Sequence, residues 1–474
     1  MLRLQIGTQM VKYTCERCET AFDQKSHYTR HLQRKRPCKK DPQVEAQVNQ
    51  ILQETPTGLM FLRPYAAVKE HIDSVLNKDK SLFRTSNDEP TPLGCVEEML
   101  ASVPDSFWSQ PDIRILDPCC GNGNFHVCIA NILRMHGWSP KRICEALVFN
   151  DTNEERLQQV RHLFGESAQV TSRDFLETTE ESSYDMVVMN PPYAKLMPDG
   201  SRASKNHGLS VPFLEKGLQL LRPGGFLVAI VPDSWMSLAD RNRFCETLTQ
   251  YQFHALNIHC AKTWFPKVGS SFTWFVVQKV PGTTPFPVSY LHAGTVHTGL
   301  VDSQQRPYIP LQYSRTIQSI LAKTIDNDAL PKYVVETSSD LHRYTKRDLI
   351  RDIEDETFRY RLIHTPKQMA WANRPHKYQE GWKVFLSTTD KYRAFADNCG
   401  MTQSIVFIRM ETETAARQTC EILMHPLYVF LNNLCRYGNF NNIRILQKLP
   451  MCTTGDPYTE FHLTNDEIAL ISSS

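Results

Sequence analysis

The sequence has no apolar run near the length of a membrane span. Its start, Met1-Leu2-Arg3-Leu4-Gln5-Ile6, is too short and too mixed for a secretory leader. There is no internal repeat and no low-complexity tract, so a solenoid is not expected. The 14 cysteines are spread over 474 residues, which is no disulfide scaffold and predicts a reducing, intracellular compartment. Net charge is also scarce: 53 Lys and Arg stand against 51 Asp and Glu, leaving +2. What remains is an ordinary globular composition, 41% hydrophobic and 22% charged, long enough for roughly two to four domains.

The small net charge hides two basic islands. Residues 1–40 hold ten Lys and Arg against three acids, and residues 357–410 hold nine against three. The remainder is acidic on balance, so the islands predict local contacts with a polyanion.

Residues 11–40 read as a separate module. Cys15 and Cys18 form a knuckle, and twelve residues separate Cys18 from His31. The usual last ligand, three to five residues on, is missing, and Cys38 can supply it. Cys15, Cys18, His31 and Cys38 would make a tetrahedral structural zinc site, with His27 the alternative nitrogen ligand. So short a module cannot bury much surface, so a metal would have to stabilise it. It resembles a C2H2-type finger with a Cys terminus, of the sort fused to proteins of large DNA viruses. The competing reading is a basic arm with incidental cysteines.

Residues 41–84 read as a largely helical linker and extension. Helices are expected over 65–76 and 93–101, the second capped by Thr91 with Pro92 at its first position. From 112 to 280 strands and helices alternate, which predicts an α/β fold with a doubly wound parallel sheet. After Pro281 the alternation is lost, and residues 288–474 read as a separate α+β domain behind a linker at 281–287.

The chemistry concentrates at predicted strand ends. Asp117-Pro-Cys119-Cys-Gly121-Asn-Gly123-Asn-Phe125 follows the first strand and opens a helix, with two glycines and no Walker lysine, so it is not a phosphate cradle. Asp151 ends the second strand, where an acid can take both ribose hydroxyls of a nucleoside. Asp174 and Phe175 end the third; the carboxylate can accept from an adenine amine and the ring can lie on the purine. The fourth, 186–189, stops at Asn190-Pro191-Pro192-Tyr193. An amide carbonyl and a proline carbonyl there can hold one –NH₂ group while the tyrosine stacks on the attached ring.

In this order the motifs resemble the class I S-adenosylmethionine-dependent DNA adenine methyltransferases, most closely the gamma arrangement, over about residues 85–280. The resemblance implies a Rossmann-like fold. It implies cofactor contacts from Thr91, Pro92, Asp117, Cys119, Gly121, Gly123, Phe125, Asp151, Asp174, Phe175 and Asn190. Catalysis would rest on Asn190, Pro191, Pro192 and Tyr193, with Tyr193, Phe265 and Phe272 around a flipped base. The cysteines at 119 and 120 depart from the smaller residues common in that turn. The C-terminal region would recognise a short site in double-stranded DNA, through Arg374, Lys377, Lys383, Lys391 and Arg393 among others. A monomer with no membrane contact is expected, its finger adding DNA affinity or binding a protein. The same tetrapeptide also serves methylation of protein glutamines and RNA bases, and an inactive DNA-binding scaffold is the other alternative. No Pro-Asp…Glu-x-Lys cluster marks a fused nuclease.

Overall fold

The computed structural model describes residues 13–14, 21–22, 59–79, 82, 89–179, 183–193, 208–239, 243–266, 271–389 and 391–473. At the N-terminus, Tyr13–Thr14 and Ala21–Phe22 pair antiparallel. The proposed ligands Cys15, Cys18, His27, His31 and Cys38 lie outside the described residues. Every described cysteine is a free thiol. No helix among the described residues is long and apolar enough to cross a membrane.

Nine strands make the central sheet: β1 (Ile115–Asp117), β2 (Leu147–Asn150), β3 (Gln169–Thr171), β4 (Tyr184–Met189), β5 (Leu221–Pro232), β6 (Tyr251–Ile258), β7 (Phe272–Pro281), β8 (Phe286–His292) and β9 (Thr295–Val301). Their order is β9-β8-β6-β7-β5-β4-β1-β2-β3. Strands β1 to β5 run parallel. Strand β7 is antiparallel to both β5 and β6, and β9 is antiparallel to β8. The sheet is therefore mixed, a correction to the all-parallel expectation. The reason is local: among the described residues between β6 and β7, 259–266 and 271, there is a short 3-10 turn and no crossover helix of the kind a parallel return requires. The architecture is an α/β fold, a mixed sheet with helices packed on both faces.

Apolar runs explain why β4 and β5 are central. Met186 and Val188 enter one core cluster, and Val187 and Met189 enter the other, as the two-residue period of a strand requires. The first face is covered by α1 (Tyr65–Ser74), α2 (Leu93–Leu100), α3 (Asn124–Met135), α4 (Pro140–Ala146) and α5 (Glu154–Phe164). On the second face, α6 (Ser210–Leu220) contributes Phe213 and Leu214. Residues 222–225 of β5 form a bulge: Tyr184 faces Leu221, but Met186 faces Phe226.

The sheet does not stop at residue 280. Strand β8 begins at Phe286 and lies parallel to β6, so the expected linker shrinks to a short connection within one sheet. The later residues share that sheet's second core. α7 (Arg315–Lys323), α8 (Glu413–Leu423), α9 (Pro426–Leu434) and α10 (Asn465–Ser472) place Ile317, Leu423, Leu431 and Ile471 in one cluster with Leu227 and Val231 of β5. Two smaller sheets complete this half, one of four strands and one of three.

Candidate active site at the carboxyl ends of the central strands

Strand order reverses between β1 and β4, which are neighbours although two strands separate them in sequence. The loops that follow them diverge there and leave the crevice where open α/β sheets take ligands.

The loop after β1 is built for close approach. Gly121 and Gly123 take φ of 53° and 84°, which side chains with a Cβ adopt at a cost. A Cβ at Gly121 would meet nothing within 4 Å, so the turn opens onto space. Asp117, at the end of β1, is 1% exposed and accepts from the Cys119 amide at 3.2 Å. Burial pushes its carboxyl well above the usual carboxylate range, and the charge of Asp151 adds to the rise.

Asp151 follows β2. Its carboxylate accepts from the amides of Gly121 at 2.9 Å and Asn153 at 2.8 Å. The buried Arg156 guanidinium lies 4.0 Å away and donates to the Leu82 carbonyl. The acid is thus locked to the glycine turn, with two of its roughly four lone-pair positions spent on backbone. Asn150 was not singled out from sequence. Its side chain donates to Pro118 and Arg173 carbonyls at 3.0 Å and accepts from the Thr171 hydroxyl at 2.8 Å. It ties together the loops after β1, β2 and β3. An asparagine after a strand carries no signal of this without the neighbouring strands.

Asp174 is exposed and accepts from the Leu176 amide at 2.9 Å, capping a single 3-10 turn. Phe175 is 4% exposed, with its ring centroid 5.4 Å from that of Phe213 on α6. That ring belongs to the second-face core.

At the end of β4 the tetrapeptide meets a residue 99 positions earlier. The Asn190 amide donates from Nδ2 to the Thr91 hydroxyl at 3.0 Å, and the Tyr193 hydroxyl donates to Asn190 Oδ1 at 2.8 Å. Thr91 is 4% exposed, and its carbonyl accepts from Asn124 Nδ2 at 2.7 Å. The cap of α2 is Pro92, one residue later than expected, which leaves the Thr91 side chain for Asn190. Pro191 is buried and Pro192 exposed.

Aromatic rings line the far side. Tyr193 lies 5.7 Å from Phe272, and Phe265 lies 5.1 Å from Phe272, centroid to centroid. Phe272 is held between β5 and β6. Its carbonyl accepts from the His259 amide at 2.9 Å, and His259 Nε2 lies 3.0 Å from the buried Asp233 carboxylate. His259 takes φ of 66°, so that pairing is bought with backbone strain. The Trp264 indole donates to Glu98 at 2.9 Å and lies on Gly94 of α2.

Residues 137–261 match the Eco57I restriction-modification methylase family. The matched stretch holds Asp151, Asp174 and the Asn190–Tyr193 turn. The type II methyltransferase M.VspI of Vibrio sp. (strain 343) is 26% identical over 139 residues, 27% of this chain and 33% of that protein. The chain therefore spans about a third of the length of this curated relative. Among solved structures, that of a DrdV–DNA complex superposes with a TM-score of 0.47 at 10% identity, covering 86% of this chain and 59% of the other. That of LlaBIII, an ATP-dependent Type ISP restriction-modification enzyme bound to DNA, gives 0.43 at 12%, covering 73% and 35%.

The structure brings Thr91, Asp117, Cys119, Gly121, Gly123, Asp151, Asn190 and Tyr193 to one edge of the sheet, with Phe265 and Phe272 beside them. The candidate phosphate contacts fare unevenly. Lys383 is 1% exposed and donates to the carbonyls of Glu380 and Gly381, and burial lowers its pKa. It is withdrawn from that set, because an ammonium buried in the protein cannot reach a phosphate. Arg374 pairs with Asp340 at 2.9 Å, and Lys377 lies 4.7 Å over the Tyr378 ring. Lys391 and Arg393 are exposed.

Proposed function

We propose that this chain is an S-adenosylmethionine-dependent DNA methyltransferase acting on the exocyclic amine of an adenine turned out of double-stranded DNA, at a specific short sequence. The observation that carries the reading is the Asn190 carbonyl. It stands at the switch point of the sheet between an acid-lined glycine turn and a group of three aromatic rings. The similarity of residues 137–261 to restriction-modification methylases supports it.

The residues of the glycine turn suit the cofactor. Two buried acids, Asp117 and Asp151, face one loop, and a cation seated there offsets the cost of their burial. The open space at Gly121 lets a ligand approach the backbone. Thr91, Pro92, Asp117, Gly121, Gly123, Asp151 and Asp174 would hold S-adenosylmethionine, which when bound supplies an electrophilic methyl group.

The rest is the chain's own work. A base must leave the duplex to expose its amine. Tyr193, half-buried, would stack on it, with the buried Phe272 ring 5.7 Å from Tyr193, centroid to centroid. The carbonyls of Asn190 and Pro191 accept both amine hydrogens, which favours a tetrahedral nitrogen with a localised lone pair. Those dipoles also stabilise the positive charge that develops on nitrogen. In this reading the exposed cations of the C-terminal half touch DNA phosphates, and zinc, held by Cys15, Cys18, His31 and Cys38, is structural.

The test is incubation with labelled S-adenosylmethionine and random-sequence duplex DNA, followed by methylation-sensitive sequencing. Asn190→Ala should abolish transfer while calorimetry still detects cofactor binding. Normal turnover by that variant, or label found only on RNA or on a protein glutamine, overturns the reading.

A further inference from the structure

We infer that Phe440 is an apolar wedge that enters the base stack of bound DNA at the active-site edge of the molecule. The inference rests on the proposed reading of the chain as a methyltransferase of duplex DNA.

The Phe440 ring is 62% exposed. A lone exposed apolar residue needs no explanation by itself; the framing of this one does. Its amide donates to the Tyr437 carbonyl at 3.0 Å. The next residue, Asn441, is buried: its backbone amide donates to the Thr388 carbonyl at 2.9 Å, its Nδ2 donates to the Ser387 carbonyl at 2.8 Å, and its Oδ1 accepts from Asn432 at 2.9 Å. Asn442 donates from Nδ2 to the Leu238 carbonyl at 2.9 Å, and its Oδ1 accepts from the Arg444 backbone amide at 2.8 Å. Carbonyls only accept and backbone N–H groups only donate, so neither side-chain amide can turn over without losing its bonds. The loop is pinned on both sides of a ring that it holds out in solvent.

The loop stands at the carboxyl edge of the central sheet. The 3-10 turn Tyr437–Asn439 packs against the 3-10 turn Asp233–Met236, which leaves the end of β5 and leads to Leu238. Strand β5 is the neighbour of β4, whose end carries Asn190. A duplex that brings a base to Asn190 lies along this same edge.

The surroundings suit a polyanion rather than a protein. Residues 436–447 hold Arg436 and Arg444 and no acid. The segment that follows Thr388 carries the exposed Lys391 and Arg393. Tyr437, Ile445 and Leu446 are buried, so the ring stands alone and is too small an apolar face for a stable protein interface. One ring among cations is the chemistry of a wedge. The phosphates meet the cations, and the ring slides between bases whose stacking is broken when one of them turns out.

Phe440→Ala should lower kcat/KM on random-sequence duplex DNA roughly tenfold, the scale of one lost base–ring stack. Its slope of log kcat/KM against log salt should match that of the unmodified protein, since no phosphate contact is lost. The cofactor dissociation constant by calorimetry and the melting temperature should not change, because an exposed ring supports neither the cofactor turn nor the core. Phe440→Trp should restore the rate and add a tryptophan emission that duplex DNA quenches beyond the quench of the unmodified protein.

An unchanged kcat/KM for Phe440→Ala overturns the inference. So does a flattened salt slope, a lowered melting temperature, or no added quench in Phe440→Trp. Self-association of the unmodified protein that Phe440→Ala abolishes also overturns it, by making the ring a contact between copies. If the unmodified protein methylates no DNA, the functional reading falls first and takes this inference with it.

Discussion

Asn190 has two hydroxyl neighbours, Thr91 at Nδ2 and Tyr193 at Oδ1. On the proposed reading, Tyr193 competes with the substrate amine for that oxygen. Tyr193→Phe keeps the ring for stacking and frees that oxygen. It should lower KM for DNA roughly two- to fivefold, as expected for removing one competing hydrogen bond, and steady-state kinetics on duplex DNA will show it. Asp117 carries a different cost. Its folded-state pKa lies above its unfolded value through burial, so the native state binds the extra proton. Its contribution is least unfavourable below the ordinary carboxylate pKa, about 4, and turns destabilising as pH rises through the raised folded value. Asp117→Asn should therefore raise the melting temperature of the ligand-free protein at neutral pH, lose that advantage in acid, and weaken cofactor binding. Thermal melts across pH, with calorimetry alongside, check all three. Thr91 could not be read from sequence as a partner of Asn190, because 99 positions separate them. The acids could be read, because each stands where an apolar run ends.

Between elements, the join of α2 to the 260–264 turn is the least forgiving. A Cβ at Gly94 would fall 2.6 Å from Cζ3 of Trp264. Gly94→Ala must therefore displace the indole and its bond to Glu98, at a cost of about 1–3 kcal/mol. Indole fluorescence and a denaturant melt would register the displacement. Strand and helix positions along 113–232 were largely legible, since β4 and β5 hold apolar runs at 186–189 and 226–231 and α5 starts behind an Asn153 cap. Strand direction at β7 was not legible. A run of Phe, Trp and Val reads the same either way, and its direction shows only in its antiparallel pairing with β5 and β6.

At the scale of the whole molecule, the C-terminal half is part of the core. Tyr308, Ile317, Leu427 and Ile471 lie in one cluster with Leu227 and Ala229 of the sheet. The segment 85–280, the domain suggested by sequence, would expose that face and cut off β8 and β9. Expressed alone it should be insoluble or lack a cooperative thermal transition, where the full chain shows one. Circular dichroism melts of the two decide the matter.

What the sequence determined by itself was the order of the site: acids and an Asn-Pro-Pro-Tyr turn at successive strand ends. Strand ends are announced locally, by apolar runs meeting proline, glycine and carboxylates. Tertiary structure decided which of these groups touch. It joined Thr91 to Asn190, cross-braced three loops through Asn150, and buried Lys383 and Phe175 away from the roles their types suggested. Those outcomes depend on sheet order and on which face a side chain takes. Both are set by the burial of the whole chain rather than by any stretch of it.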